Sequence, residues 1–588
     1  MNQNKFYTPW KVGKGTSLKM TEEFSELFPK AKSEVPLILQ DQNGQKFSVI
    51  YNRETNEIFM QGLISWVRNY SPTAGTNIIF ELLDSEQPLF RIALDKESLP
   101  SSDDNGLYIG KRKDLLGKFP TEQKFFLPVQ DLVTHVFICG VTGTGKTVMG
   151  KSIIEEAILK GIPSIIVDLK GDLSSLGLIF SSLEESEFEP WIEVQARQNR
   201  QAVIQSEVEQ YKEKLTAFGL TIAKMEELRN KASFAVFTPK AGKGIPLAIA
   251  SPLAAPPDVA QLLQSEPDTV LSMIGAFCAT FVKTLFPEAK EKKLKTYKTF
   301  LEEIVRYCWE QGIELQGQNG NELHVIQTMI SNPPIKHIGG MPTYEFIEDK
   351  ERKELAKRVA MCLSGEQQLW FKGIPLNIDT LLSRPTQEVV PISIINLREL
   401  ATDDQMHALS HITYALYEWA RQKGDSRGEP RLLFFIDEIA GGGGHNAFFP
   451  SHPYDPPSKS GLNLLLRRGR AFGLGCIFAT QNPGDVDYKG LSNCQTWMIS
   501  RLQTDRDRKK IREGMSTAEI YIDSVDDKLR DMQPSEFLVR LKKGGTTVVQ
   551  ERWLMSYHKT LSESEVAKIN QPSLVEWFGS VHNLNSKK

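Results

Sequence analysis

The run Gly140-Val-Thr-Gly-Thr-Gly-Lys146-Thr147 has the residue types and spacing of a phosphate-binding loop. Glycines let backbone N–H groups wrap around phosphate oxygens without Cβ clashes. The apolar run His135–Cys139 precedes the loop and a helical pattern, Val148–Lys160, follows it. The loop therefore opens onto a helix N-terminus, whose dipole favours anions. Gly140, Thr142, Gly143, Thr144, Gly145 and Val148 are expected to line a bound nucleotide. Lys146 would reach the β- and γ-phosphates and the Thr147 hydroxyl would ligate Mg²⁺. The chemistry implied is binding and hydrolysis of ATP with Mg²⁺.

Such a loop needs acids to manage the metal and the water. Leu432–Ile436 is a buried-strand pattern that ends in Asp437-Glu438. Asp437 is expected to hold Mg²⁺, and Glu438 to polarise the attacking water as general base. Gln481 follows the next apolar run, Gly475–Thr480, where a polar side chain can sense the γ-phosphate or orient the water. Arg470 and Arg501 are candidates for an arginine finger, with Arg467 and Arg468 behind them. A solvated or salt-bridged helix face is the alternative for such a cluster. Asp168-Leu-Lys-Gly-Asp172 closes another strand, and a structural turn fits it as well as a catalytic role. Gly441–Gly444 reads either as a loop facing substrate or as a spacer.

Positioning these groups requires several strands whose carboxyl ends lie together. Core strands are expected at His135–Cys139, Ser164–Asp168, Ser233–Phe237, Val390–Asn396, Arg431–Asp437 and Gly475–Thr480, alternating with long helical patterns. That alternation implies an α/β core with a mainly parallel sheet. Helical insertions are expected at about 181–231 and 255–350, and a hairpin from Phe537–Leu541 and Thr546–Arg552. Residues up to about 100 read instead as short strands and turns, which suggests a small all-β, barrel-like domain over 1–106. The ATPase core then covers 107–560, and 561–588 is left as a C-terminal tail.

The length of 588 residues calls for more than one core. The net charge of -3 shows no bulk electrostatic footprint for nucleic acid, so DNA contact would need a local basic surface or a ring that concentrates charge in a pore. Cys139, Cys278, Cys308, Cys362, Cys476 and Cys494 have neither metal-ligand nor redox-motif spacing. With no signal-peptide pattern and no apolar run long enough to cross a bilayer, a cytoplasmic protein is expected.

Taken together, Gly140–Thr147, Asp168–Asp172, Phe237-Thr-Pro239, Asp437-Glu438, Arg467–Gly473, Thr480–Pro483 and Asn493–Arg501 resemble the HerA/FtsK superfamily, and HerA-like ATPases more closely. The resemblance covers most of residues 107–560. It implies a RecA-like P-loop ATPase core that assembles as a hexameric ring and moves double-stranded DNA, in some relatives with a nuclease partner in DNA end processing or phage defence. It carries Lys146 and Thr147 over as phosphate and Mg²⁺ residues, Asp437 and Glu438 as Walker B, Gln481 as sensor, and Arg470 and Arg501 as arginines near the phosphates.

Residues 35–94 resemble pseudobarrel DNA-binding domains through Leu39–Gly44, Gly62–Val67 and Gly75–Leu82, which would place Arg53, Arg68 and Asn69 at DNA. A protein-binding or ring-seating barrel fits equally. Further candidate DNA contacts are Lys290–Lys293, Arg506–Lys510 and Lys542-Lys543. Two other functions remain open: a ring ATPase that moves or remodels protein, and a regulatory ATP-binding subunit.

Overall fold

The computed structural model describes residues 5–9, 17–20, 22–28, 33–40, 46–59, 77–84, 89–94, 106–113, 120–194, 199–240, 243–249, 255, 259–286, 289–313, 315, 321–362, 364, 366–515, 529–541 and 546–581. They divide into two units. The first comprises Met1–Met149, Gln481–Gly484 and Cys494–Trp553, and the second Gly150–Thr480, Asp485–Asn493 and Leu554–Lys588.

The first unit begins with a seven-stranded sheet ordered Lys5–Pro9, Asn77–Asp84, Leu89–Leu94, Glu34–Gln40, Lys46–Asn52, Glu57–Phe59 and Ser17–Lys19. Its pairs are antiparallel except Glu34–Gln40 with Leu89–Leu94, which is parallel. Strict alternation in Glu34–Gln40 and Lys46–Asn52 buries Val35, Leu37, Leu39, Phe47, Val49 and Tyr51 on one face. Phe24, on the short helix Glu22–Glu26, covers that face and meets Tyr51 and Phe80 edge-on. A small N-terminal sheet is thus present, with one short helix packed on it where only strands and turns are expected. Of its expected DNA contacts, Arg53 is half-buried, and Arg68 and Asn69 lie outside the described residues.

A second set of strands in the same unit runs Val136–Cys139, Thr496–Ile499, Glu536–Arg540, Thr546–Glu551, Gly106–Lys113 and Pro120–Pro128. Only the first pair is parallel. The expected C-terminal hairpin is there, and Gly106–Lys113 and Pro120–Pro128 add two strands to those the sequence pattern predicts. Lys111-Arg-Lys113 breaks the apolar pattern of the first of these two. Trp497 and Arg552 are among the largest fully buried side chains. Trp497 packs edge-on against Phe137, and the Arg552 guanidinium donates to the backbone oxygens of Tyr108 and Trp553.

The second unit holds seven parallel strands: Ile374–Pro375, Ile245–Ala248, Ala232–Thr238, Val390–Asn396, Ser164–Asp168, Leu432–Ile436 and Leu474–Thr480. Ser164–Asp168, Leu432–Ile436 and Leu474–Thr480 are buried along their whole length, as a parallel sheet covered on both faces requires. Helices Arg200–Ala217 and Ile222–Lys231 fill the first expected insertion, and helices from Val259–Ser265 to Asp349–Cys362 the second. Among the described residues no helix is long and apolar enough to cross a membrane.

The residues beyond 560, expected to be a tail, form helices Glu563–Ile569 and Pro572–Val581. Between them Asn570 is buried, and its amide both accepts from Val236 N–H (2.7 Å) and donates to Val236 C=O (2.9 Å). Phe578 meets Phe237 edge-on on the same strand. Asn570→Ala leaves two buried backbone groups without partners, so it is expected to cost about 1–3 kcal/mol, read as a lower urea midpoint at unchanged slope.

Candidate functional site: a phosphate loop and an acidic strand end

The phosphate loop belongs to the first unit. Strand Val136–Cys139 ends at the loop, and helix Lys146–Leu159 follows it. Gly143 and Gly145 take φ of 78° and 95°, values that L side chains rarely adopt. A Cβ on Gly143 would meet nothing within 4 Å, so this part of the loop is open, as a cradle for an anion must be. Lys146 is buried and its ammonium donates to Val141 C=O at 2.9 Å. The Thr144 hydroxyl donates to the same oxygen at 2.7 Å. Thr147 and Val148 are half-buried on the first helical turn.

Two expected partners reach this loop. The Thr142 hydroxyl donates to Gln481 Oε1 at 2.7 Å across 339 positions of sequence. Val141 N–H donates to Arg501 C=O at 2.9 Å, which holds the half-buried Arg501 beside the loop. Its Nε is buried, with no hydrogen-bond partner among the described residues.

The acids belong to the second unit. Asp437 and Glu438, both buried, follow strand Leu432–Ile436. Glu438 sits at φ 66°, a left-handed conformation that costs a non-glycine residue roughly 1–2 kcal/mol. Its backbone turns sharply there, with Ile439 N–H on Ala479 C=O and Gly441 N–H on Glu438 C=O, both at 3.0 Å. Lys170 Nζ reaches Glu438 Oε2 at 3.0 Å, with the lysine half exposed. Gly441–Gly444 continues as a tight turn rather than an open spacer: Gly441, Gly443 and Gly444 all have positive φ, and Gly443 N–H bonds back to Ala440 C=O.

Asp168 is committed to structure. Oδ1 accepts from Gly171 N–H at 2.7 Å, and Oδ2 accepts from the Ser174 N–H and hydroxyl at 2.9 and 2.8 Å. These bonds fold the Asp168–Ser174 turn and favour the structural alternative for that acid. Asp172 differs. Burial, then the charges of Asp168 and Asp437, push its carboxyl up to about 6 against the pull of Lys151 and Lys170.

Lys151 is a residue that sequence spacing did not single out. It is wholly buried on the helix that follows the loop, bonded to Asp172 C=O, Ser175 Oγ and His558 Nδ1. Burial draws its ammonium down to about 8 although four acids oppose that shift. Burial and the nearby Lys151 draw His558 down to about 3. Four positions on, Glu155 accepts from Met555 N–H and from Ser556 N–H and Oγ. No local signal marks Lys151, because His558 is 407 positions away.

The remaining basic candidates divide. Arg470 is exposed on the turn Gly469–Phe472, and Arg467 is exposed as well. Arg468 pairs with Glu266 at 3.2 Å, the salt-bridged alternative. Within Arg506–Lys510, Arg508 is buried and donates to Leu502 C=O and Gln503 C=O, so it is no surface contact for DNA. Arg506 and Lys510 both donate to Gly484 C=O. Lys293 pairs with Glu354 at 2.8 Å, and Lys542-Lys543 lie outside the described residues.

The probable helicase MJ1565 of Methanocaldococcus jannaschii is 27% identical over 181 residues, 30% of this chain and 33% of that protein. The chain thus spans about a third of that relative's length. VirB4 of Thermoanaerobacter pseudethanolicus aligns over 76% of this chain and 97% of its own, with 13% identity and a TM-score of 0.43. The bacterial conjugative coupling protein TrwB aligns over 76% and 89%, with 11% identity and a TM-score of 0.40. The family described as the central domain of helicase HerA matches residues 116–416, just over half of the sequence, and the chain belongs to that family.

Proposed function

We propose that this P-loop protein is an ATPase that drives the translocation or unwinding of DNA, working as a hexameric ring and serving a nuclease partner. The observation that carries the reading is the loop itself: an open glycine cradle with a buried lysine and Gln481 bonded to Thr142. The acids that such a loop needs, Asp437 and Glu438, stand at a strand end in the second unit. The family's description as a helicase supports the choice of nucleic acid as substrate.

In this reading the loop amides and Lys146 hold the β- and γ-phosphates, with Thr142, Thr144 and Val148 shaping the cradle. Mg²⁺, when bound, neutralises charge on the phosphates, and Thr147 and Asp437 are the residues suited to hold it. Glu438 orients the attacking water and takes its proton. Gln481 senses the γ-phosphate through the loop it already touches. Arg501 beside the loop, or Arg470 from a neighbouring subunit, stabilises charge on the transferred group.

The test is steady-state ATP hydrolysis with and without linear double-stranded DNA. Stimulation of several-fold is expected at low salt, falling steeply as salt rises because phosphate contacts release counterions. Hydrolysis that is indifferent to every DNA supplied would replace DNA by a protein substrate.

A further inference from the structure

The last residue of strand Thr546–Glu551 turns a carboxyl group toward the phosphate loop. Glu551 is 3% exposed. A Cβ on Gly145 would collide with its Oε2 and would stand 3.3 Å from Ser535 Oγ. Ser535 is fixed to the loop through its backbone, its N–H donating to Thr144 C=O at 3.1 Å. It does so in a left-handed conformation, φ 61°. The carbonyl of Ser535 in turn accepts from Glu551 N–H at 2.8 Å and from the Gln550 amide at 3.1 Å. Thr144 and Gly145 therefore rest on a bracket built by the C-terminal hairpin.

The carboxyl itself is unusual. Both oxygens are buried, and among the described residues neither makes a well-formed hydrogen bond. Burial holds the group well above the ordinary carboxylate range, opposed by Ser535 and by the charge of Arg552. A buried carboxyl so weakly satisfied is costly and calls for a reason. A carboxyl whose charge is disfavoured by burial puts less negative charge beside a loop that receives phosphates.

We propose that Glu551, braced by Ser535, is a positioning residue of the nucleotide site that holds Thr144 and Gly145 in the conformation that receives a nucleoside triphosphate. The inference rests on the ATPase reading. Glu551 touches the loop and not the reacting atoms, so its support acts equally on bound substrate and transition state. Its loss therefore raises KM and leaves kcat nearly unchanged.

The experiment compares Glu551→Ala and Glu551→Gln with wild type in the full chain, by calorimetric titration with Mg-ATP and by steady-state kinetics. Glu551→Ala is expected to raise Kd and KM about tenfold, with kcat within about threefold of wild type. Glu551→Gln, neutral and of the same shape, is expected to stay within about threefold of wild type in all three. Should Glu551→Ala fail to fold, Glu551→Asp keeps the acid, withdraws it by one methylene, and is expected to show the same rise in KM. A folded Glu551→Ala or Glu551→Asp with unchanged Kd and KM overturns the proposal, as does a Gln variant as impaired as the Ala variant. Wild type that binds no Mg-ATP removes the ATPase reading and this inference together, whereas tight wild-type binding with insensitive variants removes this inference alone.

Discussion

Glu438→Gln is expected to bind Mg-ATP as wild type does and to hydrolyse it about 10²–10⁴-fold more slowly. Glutamine keeps the size of the side chain and the hydrogen bond that Lys170 offers to Oε2, but it cannot accept a proton from water. The left-handed φ of 66° is equally unfavourable for either residue, so the backbone gains no reason to relax. Lys170 is half exposed, so loss of the ion pair should change stability by less than about 1 kcal/mol. Binding is read by calorimetry and turnover by phosphate release. Turnover above about a tenth of wild type would leave Glu438 as a strand-end acid without a role in proton transfer.

Lys146→Ala is expected to fail one step earlier, at binding, with affinity for Mg-ATP reduced at least about 10²-fold. The ammonium is buried and already turned across the loop onto Val141 C=O. A phosphate competing for it gains a charge-assisted bond, stronger than the one to a neutral carbonyl that it replaces. Alanine removes the charge and leaves the glycine conformations of the loop intact. The two variants together separate the loop from the acids: Lys146→Ala is silent in the titration, whereas Glu438→Gln binds and stalls. A Lys146→Ala variant that binds like wild type would remove Lys146 from the phosphates.

Short-range rules made much of the fold legible. Six expected core strands, from His135–Cys139 to Gly475–Thr480, occur with ends shifted by a residue or so. Each is a contiguous apolar run bounded by turn residues, and burial on both faces writes that pattern into neighbouring positions. Strands Gly106–Lys113 and Pro120–Pro128 escaped because their apolar character is broken by charges. Their pairing is decided by a distant partner: Gly110, Lys111, Arg112 and Lys113 align with Glu551, Gln550, Val549 and Val548. The residues after 560 escaped for the same reason, since Asn570 finds its two bonds on Val236, 334 positions earlier.

The sequence by itself determined the phosphate loop and the acidic strand end. Their requirements are local: glycines where φ must be positive, a lysine and threonine opening a helix, two acids closing an apolar strand. Only the tertiary structure decided what each side chain does next. It gave Asp168 to a turn, Arg508 to backbone carbonyls and Lys170 to Glu438, and it brought His558 to Lys151 and Glu551 to Gly145. Hydrogen-bond partners and desolvation depend on which distant segments fold against a residue, and no spacing within a short window carries that information.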